Sequence, residues 1–143
     1  MTTLVLDASV AAKWFLPANS ETLVAQALDV LDRYIQGPLR LMVPDLFWPE
    51  LGNVLWKAAR RGLISRDSAE EAIRATRGQA FPTVPSADLL EDALTIASTF
   101  DRTVYDSLYV ALAVSINANF VTADERLANA LAAHLPVKWL GAV

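Results

Sequence analysis

The chain has 143 residues, 54% of them hydrophobic, and its 12 basic and 16 acidic side chains give a net charge of −4. This length suffices for one domain with a substantial core, here residues 1–143, while no apolar run reaches the roughly 18 residues of a membrane span. The absence of cysteine and the single histidine exclude disulfides, thiolate nucleophiles and cysteine or histidine metal clusters, and they favour a cytoplasmic protein without a signal peptide.

Short apolar runs along the chain predict five strands. They lie at residues 4–6, 39–43, 80–84, 119–121 and 137–140. We take the first as the central strand, and Pro82 in the third indicates an edge position. Because helices separate all five strands, we expect an α/β fold with three α/β/α layers, in which a parallel sheet of about five strands is flanked by helices.

Helical spacing with start and stop residues predicts seven helices. They cover residues 8–16, 20–35, 45–61, 65–77, 86–97, 105–116 and 122–133. Asn19 or Ser20 caps the second helix, and Gly37 and Gly62 end the second and third. Pro49 belongs in the first turn of the third helix, since deeper in the helix it would break the hydrogen-bond ladder.

Four acidic residues stand at the ends of these elements. Asp7 and Asp124 follow the first and fourth strands, and Glu50 and Asp106 lie at the starts of helices. In one parallel sheet the ends of both strands lie at the same edge, which is where ligands bind in open α/β sheets. We therefore expect these acids to converge.

Helix capping is the alternative for each acid. Asp7 is a preferred N-cap for the helix that follows it, and Glu50 suits a first turn because of the helix dipole. Thr103 with Asp106, and Thr122 with Glu125, have the spacing of a capping box.

A converged set of four carboxylates must bind protons or a cation. Two carboxylates about 5 Å apart repel by roughly 3 kcal/mol at an effective dielectric constant of about 20. Oxygen ligands alone select hard ions such as Mg²⁺ or Mn²⁺, which activate water and stabilise a phosphodiester transition state. Without these four acids the chain has as many acidic as basic residues, 12 of each, so its net charge does not exclude a nucleic-acid substrate.

The sequence around the four acids resembles the motifs of the PIN-domain family, with VapC-type toxins of bacterial and archaeal toxin–antitoxin pairs the most similar. The segments that carry the resemblance are Leu6-Asp7-Ala8-Ser9-Val10, Glu50-x-x-Asn53, Tyr105-Asp106-Ser107-Leu108-Tyr109 and Thr122-Ala123-Asp124. It implies a homodimeric Mg²⁺- or Mn²⁺-dependent endoribonuclease that a cognate VapB-like antitoxin holds inactive.

The resemblance also assigns roles to the residues at the site. Asp7 and Asp106 would be the principal metal ligands, and Asp124 would hold the metal directly or through water. Glu50 would orient or deprotonate the attacking water. The supporting residues Asn53 and Thr122 would form hydrogen bonds within the site, although both types also cap helices and fill cores.

Basic and aromatic residues supply candidates for binding. Those placed to contact RNA phosphates are Lys13, Lys57, Arg60 and Arg61, and solvated helix faces are the alternative. Tyr105 and Tyr109 suit base stacking or core packing. Those we expect to contact the antitoxin, between the second helix and the Glu50 helix, are Trp14, Phe47, Trp48 and Trp56.

Three other functions remain open at this point. A phosphotransfer enzyme with Asp7 as nucleophile lacks the second acid two residues later, where Ser9 stands. A receiver-like module lacks an acid at the end of the third strand. A PIN-type protein that acts on DNA, or mainly by binding RNA, fits the same residues.

Overall fold

The computed structural model describes residues 1–143, which form a five-stranded parallel sheet. The strands are β1 (Thr2–Leu6), β2 (Leu39–Pro44), β3 (Thr83–Val84), β4 (Asn119–Thr122) and β5 (Val137–Trp139). Their order is β3-β2-β1-β4-β5, so β1 is central and β3 lies at an edge, as predicted.

Seven α-helices flank the sheet. They are α1 (Ala8–Ala12), α2 (Val24–Gln36), α3 (Phe47–Arg60), α4 (Arg66–Gly78), α5 (Ser86–Phe100), α6 (Val104–Ser115) and α7 (Glu125–Leu131). Helix α6 packs against β1, β2 and β4, α2 packs against β2, and α7 packs against β4 and β5. The predicted α/β/α architecture is confirmed. None of the helices combines the length and apolar character needed to cross a bilayer.

The core is one cluster of 32 buried residues centred on β1 and α6. Val5 and Leu6 of β1 are fully buried, and α6 is buried from Ser107 to Ala113. A helix that is apolar on nearly all sides must be enclosed by other elements. The segment carrying Asp106 is therefore held rigidly in the core.

The second helix begins later than predicted. Leu23 has a φ of 56°, in the left-handed region that a right-handed helix cannot pass through. Helix α2 therefore starts at Val24, and Ala18–Ser20 form a separate 3₁₀ turn. Helix α1 is also shorter than predicted and ends at Ala12.

Other predicted boundaries shift where a strand continues further than its pattern indicates. Pro44 still pairs with Val84 in the sheet, so α3 starts at Phe47, and Pro49 lies in its first turn as predicted. Thr122 still pairs with Trp139 in the sheet, so α7 begins only at residue 125.

The sheet topology positions the site. From β1 the chain proceeds to β2 and β3 on one side, whereas β4 and β5 lie on the other. The carboxyl ends of β1 and β4 thus form the point where strand order reverses, the usual ligand position in open α/β sheets. Leu6 pairs with Val121, so Asp7, directly after β1, stands beside Thr122, the last residue of β4.

Candidate active site

The fully buried hydroxyl of Thr122 connects two of the four acids. Thr122 Oγ1 donates a hydrogen bond to Asp7 Oδ2 at 2.7 Å, and the same oxygen accepts one from the backbone N–H of Asp124 at 3.1 Å. Asp7 and Asp124 therefore have fixed relative positions at the ends of β1 and β4.

All four acids lie at helix N-termini, where the helix dipole favours negative charge, Asp7 and Asp124 as N-caps and Glu50 and Asp106 in first turns. Asp7 Oδ1 accepts from the Ser9 N–H at 3.4 Å, and Asp124 Oδ1 accepts from the Leu127 N–H at 3.1 Å. The side chains of Asp7 and Asp124 thus cap α1 and α7, in addition to the metal-binding role predicted for them. The expected Thr122–Glu125 capping box does not form, because Asp124 is the residue that caps α7.

Asp106 lies in the first turn of α6, as predicted. Its backbone N–H donates to Oγ1 of the N-cap Thr103 at 3.1 Å. Thr103 therefore fixes the position of Asp106 at the start of α6. Burial raises the pKa of the Asp106 carboxyl, and a hydrogen bond from the Thr103 side chain lowers that pKa by a smaller amount.

Glu50 is oriented by a tyrosine from α6. The hydroxyl of Tyr109 donates to Glu50 Oε1 at 2.5 Å, joining α3 to α6. Tyr109 is 1% exposed and stacks on Phe120, with ring centroids 5.0 Å apart and an interplanar angle of 15°. Tyr109 therefore packs in the core, which was one of its two predicted roles, and its ring is not exposed for stacking on a base. Its hydrogen bond to Glu50 was not predicted from the sequence.

The four carboxylates influence one another electrostatically. Burial raises the pKa of Asp7, and the charge of Asp106 adds to the effect. Burial likewise raises the pKa of Glu50, with contributions from Asp7 and Asp106. Burial raises the pKa of Asp106, and Asp124 raises it further. Together with the hydrogen bonds that join Asp7 and Asp124 through Thr122, these effects of charge place the four acids in one region of the fold.

The donor chemistry of this region fits a hard divalent cation. Four carboxylates without sulfur or imidazole are the ligand type that Mg²⁺ and Mn²⁺ prefer. As their side chains are oriented here, however, no three His, Cys, Asp or Glu residues are arranged to hold a metal ion. The ionised carboxylates repel one another, and a cation among them would offset that repulsion.

A family model for the PIN domain matches residues 4–131, a range that includes all four acids. The chain belongs to the PIN domain family. The membership predicted from the four motifs is confirmed.

Relatives of this PIN domain match it over most of its length. Ribonuclease VapC3 from Pyrobaculum aerophilum is 36% identical over 127 residues, covering 87% of this chain and 92% of the relative. The crystal structure of PAE2754 from the same organism has a TM-score of 0.70 at 24% identity, covering 99% and 91% of the two chains. A toxin–antitoxin complex from Klebsiella pneumoniae has a TM-score of 0.64 at 15% identity, covering 94% and 95%.

Three of the predicted RNA-contacting residues form a basic surface on α3 of the PIN domain. Lys57, Arg60 and Arg61 are exposed and line a common cavity of about 330 Å³. Asn53 is also exposed on α3, one turn beyond Glu50, and its side chain makes no hydrogen bond to the carboxylates.

Lys13 is in a different environment from the other predicted RNA-contacting residues. It is only 7% exposed, and its Nζ lies 3.2 Å from Oε1 of Glu21. This pairing competes with the phosphate contact expected for Lys13. Sequence reasoning missed Glu21, whose position depends on the turn that precedes α2.

The four aromatic residues expected to contact an antitoxin differ in burial. Phe47 is fully buried, so it belongs to the core and that expectation is wrong for it. Trp14 is partly buried and its Nε1 donates to a carbonyl of α2 at 2.8 Å. Trp48 is partly buried and donates to a β3 hydroxyl at 3.1 Å. Trp56, 54% exposed, presents the largest open apolar surface of the four.

An apolar groove beside Trp56 lies between α3 and α4, whereas the antitoxin site predicted from the sequence lies between α2 and α3 and stays a prediction. The groove has a volume of about 480 Å³ and is lined by Leu55, Trp56 and Ile73, with Arg60 at one side. The Arg60 guanidinium lies 5.5 Å from the centre of the Trp56 ring.

Two further residues near the acids were missed. Ser9 Oγ accepts a hydrogen bond from the Ala123 N–H at 3.2 Å, which ties the segment after β1 to the segment after β4. Burial raises the pKa of Asp106, and the positive charge of Arg102 partly offsets this effect by lowering that pKa. The sequence could have indicated this role of Arg102, because Arg102 directly precedes Thr103, the residue that caps α6.

Proposed function

We propose that this PIN domain is a metal-dependent endoribonuclease, the toxin of a toxin–antitoxin pair, which hydrolyses RNA phosphodiester bonds at its four-carboxylate site. The observation that carries the proposal is the position of Asp7 and Asp124 at the reversal point of the sheet, where the buried hydroxyl of Thr122 joins them. Family membership and the ribonuclease name of the Pyrobaculum aerophilum relative support it.

Asp7 and Asp106 would be the principal ligands of Mg²⁺ or Mn²⁺, with Asp124 holding the ion directly or through water. When bound, the ion lowers the pKa of a coordinated water and offsets charge that develops on the phosphate. Thr122 keeps Asp7 and Asp124 in register for this task through its buried hydroxyl.

Glu50 has the properties of a base for the attacking water. Tyr109 holds Oε1, which leaves Oε2 free to accept a proton. Burial raises the pKa of Glu50, so this carboxylate takes up a proton more readily than an exposed glutamate does.

The basic surface of Lys57, Arg60 and Arg61 would hold the RNA backbone. These residues lie on the same helix as Glu50, two to three turns further along. Contacts to phosphates position the substrate without reading its sequence. The acidic net charge of the protein therefore coexists with a local basic surface.

A VapB-like antitoxin is the partner we propose for the α3–α4 groove. The exposed Trp56 supports this location, because large aromatic residues are common at the centres of interfaces. We expect Trp56→Ser to weaken antitoxin binding at least about tenfold, measured by calorimetry. Trp139→Phe, on β5 and outside the groove, is the control, and unchanged affinity of Trp56→Ser would place the antitoxin elsewhere.

We also propose that the protein acts in the cytoplasm as a homodimer. Leu90 and Leu94 are 50% and 58% exposed on α5, among the second-half helices where we expect the dimer contact. A light-scattering mass equal to one 15.6 kDa chain at micromolar concentration would contradict the dimer.

Cleavage of a mixed small-RNA pool by antitoxin-free protein tests the proposal. Reactions contain Mg²⁺, Mn²⁺ or EDTA, and Asp7→Asn runs beside the unmodified protein. We expect discrete fragments that disappear with EDTA and with Asp7→Asn.

Two results would contradict the proposal in different ways. Folded dimeric protein that cleaves no RNA under either metal would favour a PIN-type protein that binds RNA or acts on DNA. Cleavage that persists in Asp7→Asn would separate the activity from the carboxylate site.

A further inference from the structure

A cavity of about 270 Å³ is lined by Ser9 and Ala123, which neighbour Asp7 and Asp124 in the chain, and its Lys13 and Glu21 have no role in the chemistry described above. Ser9 and Ala123 form the wall nearest the site, and they are hydrogen-bonded to each other directly beyond Asp7 and Thr122. A ligand in this cavity would therefore lie beside the acids that we assign to catalysis.

The cavity contains a charged pair that is largely shielded from solvent. Lys13 and Glu21 both line it, with side chains 8% and 24% exposed and a separation of 3.2 Å between Nζ and Oε1. The pair leaves Glu21 Oε2 without a hydrogen bond, and Lys13 Nζ has donors beyond the one that Glu21 accepts. These groups can serve a ligand without breaking the ion pair.

The rest of the lining suits a flat aromatic ring. Leu16, Val54 and Leu63 supply apolar side chains, while Lys57 and Arg61 stand where the cavity meets the basic surface on α3. Its volume is near the lower limit of about 300 Å³ for small-molecule sites, which matches one base rather than a whole nucleotide.

We propose that this cavity is a subsite for one guanine base of the RNA substrate, next to the phosphate that is cleaved. The proposal rests on the proposed ribonuclease function and adds a sequence preference to it. Glu21 would accept hydrogen bonds from guanine N1–H and the N2 amino group, and Lys13 would donate to O6.

Guanine is favoured because its pairing edge matches the charged pair at all three positions. It presents two adjacent donors beside one acceptor, opposite a carboxylate and an ammonium group. Adenine and cytosine each offer one amino donor to Glu21. Uracil places acceptors on both sides of its single N–H, so one of them faces a carboxylate oxygen.

Binding of mononucleotides tests the subsite without relying on cleavage. The four 5′-monophosphates are titrated into dimeric wild-type protein in EDTA and followed by NMR. We expect GMP to bind about tenfold more tightly than AMP, CMP or UMP, the effect of one additional hydrogen bond to a charged group. Equal binding of all four, or no binding at millimolar concentration, would overturn the proposal.

Glu21→Gln is the variant that isolates the recognition step. It keeps the size of the side chain and replaces one acceptor oxygen by a donor, so we expect the guanine preference to disappear. Glu91→Gln on the exposed face of α5 is the matched control and should retain it. Melting temperatures of both variants verify folding, and a preference retained in folded Glu21→Gln would overturn the role of Glu21.

Sequencing the ends of cleaved RNA separates this proposal from the one it rests on. If wild-type protein cleaves beside guanine and Glu21→Gln cleaves without that preference, both proposals are supported. Identical cleavage sites for the two proteins would overturn the subsite and leave the nuclease intact. Selective GMP binding by a protein that cleaves no RNA would overturn the nuclease alone.

Discussion

At the scale of single residues, Asp7 shows how the site lowers the stability of the metal-free protein. Burial and Asp106 raise the pKa of Asp7 in the folded state above the value that it has in the unfolded chain. The folded protein therefore binds this proton more strongly, and stability falls as pH rises through the folded-state pKa. At neutral pH the ionised carboxylate opposes folding.

We therefore expect Asp7→Asn to raise the melting temperature of the metal-free protein at pH 7. For a chain of this length, each kcal/mol gained in the free energy of unfolding raises the melting temperature by about 3–5 °C. The variant should also lose less stability between pH 4 and pH 7 than the unmodified protein. Calorimetry across this range, with EDTA present, measures both, and a lower melting temperature for Asp7→Asn at pH 7 would contradict the argument.

The hydroxyl of Tyr109 gives a second test at the residue scale. Tyr109→Phe removes the hydrogen bond to Glu50 and keeps the ring that stacks on Phe120. We expect kcat for RNA cleavage to fall about tenfold or more with little change in KM, because misoriented Glu50 affects proton transfer rather than RNA binding.

Tyr34→Phe is the matched control for this variant. The Tyr34 hydroxyl also donates a hydrogen bond, to the carbonyl of Gln79 at 2.7 Å, but it lies outside the site. A similar loss of kcat in both variants would indicate a general loss of packing and would remove the orienting role from Tyr109.

At the scale of elements, the N-terminus of α6 determines where Asp106 stands. The Thr103 side chain caps this helix by accepting from the Asp106 N–H. Thr103→Ala should destabilise the protein by about 1 kcal/mol and reduce cleavage, whereas Thr103→Ser keeps the cap and should retain both properties. Denaturant unfolding measured beside activity checks this, and full activity in Thr103→Ala would contradict the link between cap and acid.

Elements were predictable from sequence where the local pattern determines them. The apolar runs and periodicity located all five strands and seven helices, and the acids at their ends indicated the candidate site, which stays a prediction. Boundaries were less predictable, because the left-handed Leu23 and the capping role of Asp124 depend on tertiary context. The same limit applies to the Tyr109–Glu50 contact, which joins residues 59 positions apart.

At the scale of the whole molecule, charge is distributed unevenly. The acidic site lies at the carboxyl ends of the central strands β1 and β4. Lys57, Arg60 and Arg61 form a basic surface further along the helix that carries Glu50. Replacing all three by Gln should weaken RNA binding. It should also reduce the slope of log K against log salt concentration by about 2, because each phosphate contact to single-stranded RNA contributes roughly 0.7 to that slope.

Binding titrations at several salt concentrations measure this slope. Asp7→Asn protein serves as the background, so that cleavage does not interfere. Arg33, Arg74 and Arg77, changed together to Gln, are the control for net charge, because they lie on α2 and α4. An equal change of slope in both triple variants would mean that RNA responds to total charge rather than to this surface.

The hydrogen bond between Thr122 and Asp7 joins residues 115 positions apart, and β1 obtains its second neighbour only when β4 is added. During translation, a nascent chain that ends before β4 has β1 paired on one side at most and lacks Asp124. Such a chain lacks one of the four acids of the candidate site. Because β1 is central and β4 comes late in the chain, the candidate site is assembled only after β4 and Asp124 have been synthesised.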